Sequence, residues 1–130
     1  MPRTQDWLEA LNMAVNQRFP QGIHTYDNKP KLITDNSCQP TSRQFLCETA
    51  GLGIEQIFTS FNNPKGNAET ERVMRMIKED LVWIYDWDSP QQFETKFKHW
   101  VNQYNTDYPH MALGWKTPAQ FYNHTLLVAA

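Results

Sequence analysis

Only two short runs in these 130 residues have the texture of β-strands, and this limits the possible folds more than any other feature. Lys31-Leu32-Ile33-Thr34 is apolar enough for a buried strand, and Ile54 to Thr59 reads as a second, Ile-Glu-Gln-Ile-Phe-Thr. Helical patterns stand before, between and after them. The expected order is helix, strand, helix, strand, helix, helix, short helix. Two strands of this length cannot make a stable sheet by themselves. The chain therefore reads as a partial, helix-rich α/β fold whose sheet is completed or covered by something else.

Punctuation sets the expected elements. Thr4 can cap a first helix that carries Trp7, Leu8, Leu11, Ala14 and Val15 on one face and ends near Phe19, before Pro20 and Gly22. Residues 23–30 read as loop. Thr41 or Ser42 can cap a second helix with Phe45, Leu46 and Ala50, stopped by Gly51. Asn67 opens the most regular helix, with Val73, Ile77, Leu81 and Ile84 in line. Asp88 or Ser89 caps the next, where Pro90 suits the first turn and Phe93, Phe97, Trp100, Val101 and Tyr104 form an aromatic face. Thr117-Pro118 starts a last short helix through Phe121 and Tyr122. Residues 1–125 read as one unit and 126–130 as a tail.

Composition removes several classes. Twelve Lys and Arg against fourteen Asp and Glu leave a net charge of −2, which excludes a strongly basic nucleic-acid binder. No apolar stretch approaches the roughly 18 residues of a membrane span, and the first 20 residues lack a signal-peptide pattern. The expected setting is cytoplasmic, with no membrane partner. Two cysteines, Cys38 and Cys47, are too few for a disulfide framework.

The residues that draw attention are acids. Asp35 follows the first strand, at the carboxyl end of a sheet where α/β folds build their sites. Glu71 falls in the first turns of the helix opened by Asn67, and 35 residues stand between the two. Paired carboxylates suit Mg²⁺ or Mn²⁺, with waters and phosphate oxygens completing the shell, and such ions serve in-line phosphoryl transfer. Each acid also has an ordinary reading. Asp-Asn after a strand is a common turn, and Glu69 or Glu71 at a helix start can simply complement the helix dipole.

Three segments in order narrow the choice. Thr34-Asp35-Asn36-Ser37-Cys38-Gln39, then Asn63-Pro64-Lys65-Gly66-Asn67-Ala68-Glu69-Thr70-Glu71, then Tyr104-Asn105-Thr106-Asp107-Tyr108-Pro109-His110 with Thr117-Pro118, together resemble the catalytic core of bacterial insertion-sequence transposases related to retroviral integrases. This is the DDE, or ribonuclease H-like, superfamily, and the resemblance spans residues 4–122. It implies a partial ribonuclease H-like fold lacking its first three strands. It also implies DNA integration and recombination by metal-dependent phosphoryl transfer, with transposon ends and target DNA as partners and homo-oligomers as the working form. By the resemblance Asp35 is the second acid of the triad and Glu71 the third, and Asn67-Ala68-x-x-Glu71 selects Glu71 over Glu69. Ser37 stands where the family usually has Gly, and Gly66 where it commonly has Asp. The family's first Asp lies on a strand upstream of the helix that starts near Thr4. Asp6 and Asp27, the only aspartates before Asp35, fall on no plausible strand. The expectation is a chain inactive alone; the alternative is a non-catalytic fragment that dimerises or regulates an intact transposase.

Other residues admit two readings each. Arg75 and Lys78 follow Glu71 at +4 and +7 and, with Arg72 and Lys65, could contact DNA phosphates; Glu71 and Arg75 could equally form an ordinary i,i+4 ion pair. Trp83, Trp87, Trp100 and Trp115 suggest an aromatic core more than base stacking. His110 reads as a loop anchor and Cys38 as a reduced bystander; His24, His99 and His124 are too scattered for a zinc site.

Overall fold

The computed structural model describes residues 2–59 and 64–129. They form a mixed, helix-rich α/β chain with one small parallel sheet: α1 (Thr4–Arg18), β1 (Lys31–Thr34), α2 (Arg43–Gly51), β2 (Glu55–Phe58), α3 (Ala68–Ile77), α4 (Pro90–Asp107) and α5 (Pro118–Ala129). The chain divides into two compact units, residues 1–71 and 72–130. No helix among the described residues is long and apolar enough to cross a membrane.

In the first unit, β1 and β2 pair in parallel with Ile33 opposite Ile57 and Thr34 opposite Phe58. The core sits between this sheet and the helices. Val15 of α1 meets Ile23 and Ile54, flanked by Leu11, Phe19, Leu32 and Leu52, while Leu8 and Phe45 are buried further along, with Trp7 edge-on to Phe45 at 6.0 Å. Ala14, expected on the inner face of α1, stays exposed, and α2 turns Phe45 and Thr49 inward rather than Leu46 or Ala50. The other face of the sheet is open: Ile33 is 53% exposed and Ile57 38%.

Several caps differ from expectation. Arg3, not Thr4, precedes α1, and its backbone N–H donates to the Asp6 carboxylate at 2.6 Å. An acid in the third helical position can reach back to the chain start as a hydroxyl at Thr4 cannot. Ser42 caps α2 through the Phe45 N–H. That helix ends at Gly51 as expected, and the left-handed residue that closes it lies two positions on, Gly53 at φ 71°. The Gly53 N–H reaches the Ala50 carbonyl and the Ile54 N–H that of Thr49, an arrangement that requires a left-handed residue. Ile23, expected in loop, is buried in a short 3₁₀ turn, Ile23–Thr25.

The second unit is built from helix surfaces with few buried side chains. α3 runs into a π-helical turn, Lys78–Val82, closed by the Trp83 N–H on the Lys78 carbonyl. The turn buries Leu81 but ends the helix before Ile84, which is 59% exposed instead of continuing the apolar face. Ser89 caps α4 through the Gln92 N–H at 3.2 Å. Thr117 and Gln120 cap α5 reciprocally: the Gln120 N–H reaches the Thr117 hydroxyl at 3.3 Å, and the Thr117 N–H the Gln120 side chain at 3.0 Å. That helix continues well past Tyr122, to Ala129.

The aromatic core expected here is only half realised. Trp87 and Trp100 are half-buried, but Trp83 and Trp115 are each 68% exposed. Trp83 falls in the turn that follows the π-helical segment. Trp115 sits at φ 61° beside Gly114 in a tight turn that directs it outward. The loop-anchor reading of His110 holds: it bridges Lys116, donating its N–H to the Lys116 carbonyl at 3.0 Å, and its ring lies 5.0 Å from Tyr104.

Candidate functional site

Asp35 is exposed where β1 ends. The chain turns there through an Asx-type arrangement in which the Ser37 hydroxyl donates to Asp35 Oδ1 at 2.6 Å and the Ser37 N–H donates to the same oxygen at 3.0 Å. Those two bonds, the hydroxyl first, hold the Asp35 carboxyl below the usual aspartate range. Both fall on one oxygen. The group is thus an ionised, hard-oxygen donor oriented by its own loop, of the type that divalent cations such as Mg²⁺ accept.

The loop is held from beneath by residues that motif reading missed. Gln56 of β2 donates from its amide to the Thr34 hydroxyl and to the Pro40 carbonyl, each at 3.0 Å, and accepts from the Thr49 hydroxyl at 3.4 Å. Thr34, Thr49 and Pro40 are all buried. Asn36 donates its side-chain amide to the Thr59 carbonyl, and the Thr59 N–H bonds the Thr34 carbonyl at 2.9 Å. One polar network therefore ties both strands, α2 and the acid loop together, and buried amides persist only where such bonds are made. The sequence does carry a signal for it. Strand alternation puts Gln56 on the same face as Ile54 and Phe58, and a polar side chain on the inner face needs partners.

Glu71 is exposed in the first turn of α3, in the same compact unit as Asp35. Glu69 shares that turn. Among the described residues no group of three or more His, Cys, Asp or Glu gathers to hold a metal. Asp35 and Glu71 have the right donor chemistry, and an ion held by the pair would need further ligands.

The i,i+4 ion pair between Glu71 and Arg75 does not form. Arg75 pairs with Glu79, its Nε 2.7 Å from Glu79 Oε1, and not with Glu71. Forward pairing toward the helix C-terminus leaves Glu71 unshielded by that guanidinium. The pairing raises the Arg75 pKa still further, first through the hydrogen bond to Glu79. Arg72 and Lys78 are exposed, and Lys78 opens the π-helical turn. Lys65 belongs to the 3₁₀ turn Pro64–Asn67, but its side chain lies outside what is described, as do Asn62 and Asn63. Cys38 beside the acid loop is an exposed free thiol.

A parallel sheet with an ionised carboxylate at its open strand end marks the class of α/β folds that work at strand termini. The family described as "Integrase core domain" matches residues 52–118, a little over half of the chain, and the chain belongs to that family. An insertion element IS136 uncharacterized protein of Agrobacterium fabrum is 27% identical over 118 residues, which cover 89% of this chain and 58% of that protein. An insertion element IS2A protein of Escherichia coli is 28% identical over 114 residues, 85% of this chain and 26% of its own. An insertion element IS476 protein of Xanthomonas euvesicatoria is 32% identical over 88 residues, 68% of this chain and 25% of its own. The chain thus spans little more than half the length of the longest-covered of these relatives, and about a quarter of the others.

Proposed function

We propose that this chain is the portion of an insertion-element transposase core that brings two carboxylates, Asp35 and Glu71, to a divalent-metal site for phosphoryl transfer on DNA. The observation that carries the reading is the Asp35 carboxylate, oriented by two hydrogen bonds from Ser37 at the end of β1 in a chain of the integrase core family. Glu71 is the second ligand, chosen over Glu69 by the Asn67-Ala68-x-x-Glu71 spacing. Mg²⁺ or Mn²⁺, when bound, would supply charge stabilisation at the phosphorus and a more acidic attacking hydroxyl. This chain's own contribution is to fix and orient the two acids: Ser37 sets Asp35, the Gln56 network sets the loop, and the first turn of α3 presents Glu71. Arg72 and Lys78, with Arg75 and Lys65, are the DNA-phosphate contacts in this reading.

A second reading has its own support. The sheet has two strands among the described residues, and its outer face exposes Ile33 and Ile57. Such a surface is stable only when further strands or another chain cover it. The chain would then act by pairing, with a second copy or with an intact transposase, and would regulate it without cutting.

Nicking and strand-transfer assays with Mn²⁺ test the two together. Two carboxylates hold an ion weakly, so the chain alone is expected to be silent. Addition of an intact relative should change that relative's rate. Cleavage by the chain alone that survives both Asp35→Asn and Glu71→Gln contradicts the metal-site assignment. Cleavage lost in both variants contradicts the non-catalytic reading.

A further inference from the structure

Thr34 and Asn36, the residues on either side of Asp35, both hold Thr59. The Thr59 N–H donates to the Thr34 carbonyl at 2.9 Å, just past the last strand pair, Thr34 opposite Phe58. The Asn36 side-chain amide donates to the Thr59 carbonyl from 23 positions away. Both backbone polar groups of Thr59 are thus engaged by the segment that carries Asp35. Asn36 and Thr59 are half-buried, so a carbonyl deprived of its donor there loses more than one in open water.

The clamp sits where the two acid-bearing segments part. One turns through Asp35 toward α2; the other leaves β2 at Thr59 and leads toward α3. Glu71 follows Thr59 by twelve positions, in the first turn of α3. Ser37 orients Asp35 within its own loop, and Gln56 fixes that loop through Thr34, Thr49 and Pro40. None of those bonds reaches past Phe58. Among the described residues, the side chain that links the Asp35 loop to Thr59 is Asn36. Its partner is a carbonyl, so the position requires a short side chain with an N–H to donate. Aspartate has that shape with acceptors only, and leucine has a similar shape with no polar atom.

Resting on the metal assignment above, we propose that Asn36 is a positioning residue for the ion. By clamping Thr59 it sets the direction in which the chain departs toward Glu71, so that Glu71 and Asp35 reach one cation together. Asn36 acts through the Thr59 backbone and contributes no ligand itself.

Mn²⁺ titrated into the isotope-labelled full chain tests this, with amide broadening compared at residues 35–38 and 68–72. In Asn36→Leu the broadening at 68–72 should fall about fivefold relative to that at 35–38, the ratio one lost hydrogen bond of ordinary strength supplies. Asn36→Asp should show the same relative fall, although it adds a carboxylate. In the metal-free chain both variants should speed exchange of the Thr59 amide. The Val15 and Ile54 methyl resonances should stay in place, since the core is untouched. An unchanged ratio in Asn36→Leu, or unchanged Thr59 exchange, would overturn the proposal. An equal fall at both segments, or displaced core methyls, would give Asn36 a merely structural role and overturn it as well. Stronger broadening at both segments in Asn36→Asp would point to a ligand at that position, again against the proposal. Absence of broadening at either segment in the unaltered chain would instead remove the metal assignment itself, and this role with it.

Discussion

Ser37 governs the candidate site more directly than any other single side chain. Its hydroxyl is the largest cause of the depressed Asp35 pKa, and its N–H adds to it. Both bonds favour the charged form, so their stabilisation is fully present above the ordinary aspartate range. It is lost as the pH falls through the lowered Asp35 value. Ser37→Gly keeps the N–H bond and removes the hydroxyl. The Asp35 pKa should then rise part of the way to its ordinary value, and Ser37→Ala should do the same. Side-chain carboxyl titration by NMR measures this; an unchanged Asp35 curve would mean that the Ser37 hydroxyl does not act on it. The acid was visible in the sequence because Asp after a short apolar run is a local pattern. The serine's action on it was not, because it depends on a turn geometry that composition does not reveal.

At the level of elements, the two strands and the caps at Ser42, Ser89 and Thr117 were readable, since each rests on residues close in sequence. What escaped were features set by longer-range partners or by backbone sign. Gly53, not Gly51, takes the left-handed position that ends α2. The π-helical turn at Lys78–Val82 interrupts the apolar periodicity before Ile84. Gln56 bonds the Thr34 hydroxyl from 22 positions away. That network is the structural link between the fold and the acid loop. Gln56→Ala should cost about 1–3 kcal/mol of unfolding free energy, because the buried Pro40 carbonyl and Thr34 hydroxyl lose a partner. Chemical denaturation read by far-ultraviolet circular dichroism checks it. A loss within about 0.5 kcal/mol, the range of ordinary surface changes, would show that the network does not hold the loop.

For the whole molecule, membership of the integrase core family joins the separate observations: a small parallel sheet, an ionised carboxylate at its end, a glutamate opening the next long helix, and an uncovered apolar sheet face. In the proposed function Asp35 and Glu71 bind one ion between them. Mn²⁺ broadens the amide resonances of nearby residues, so titrating it into isotope-labelled chain locates the ion directly. Broadening concentrated at residues 35–38 and 68–72 is expected, abolished by either Asp35→Asn or Glu71→Gln and retained in Glu69→Gln. Broadening that persists in Glu71→Gln, or that centres on residues away from Asp35, would contradict it.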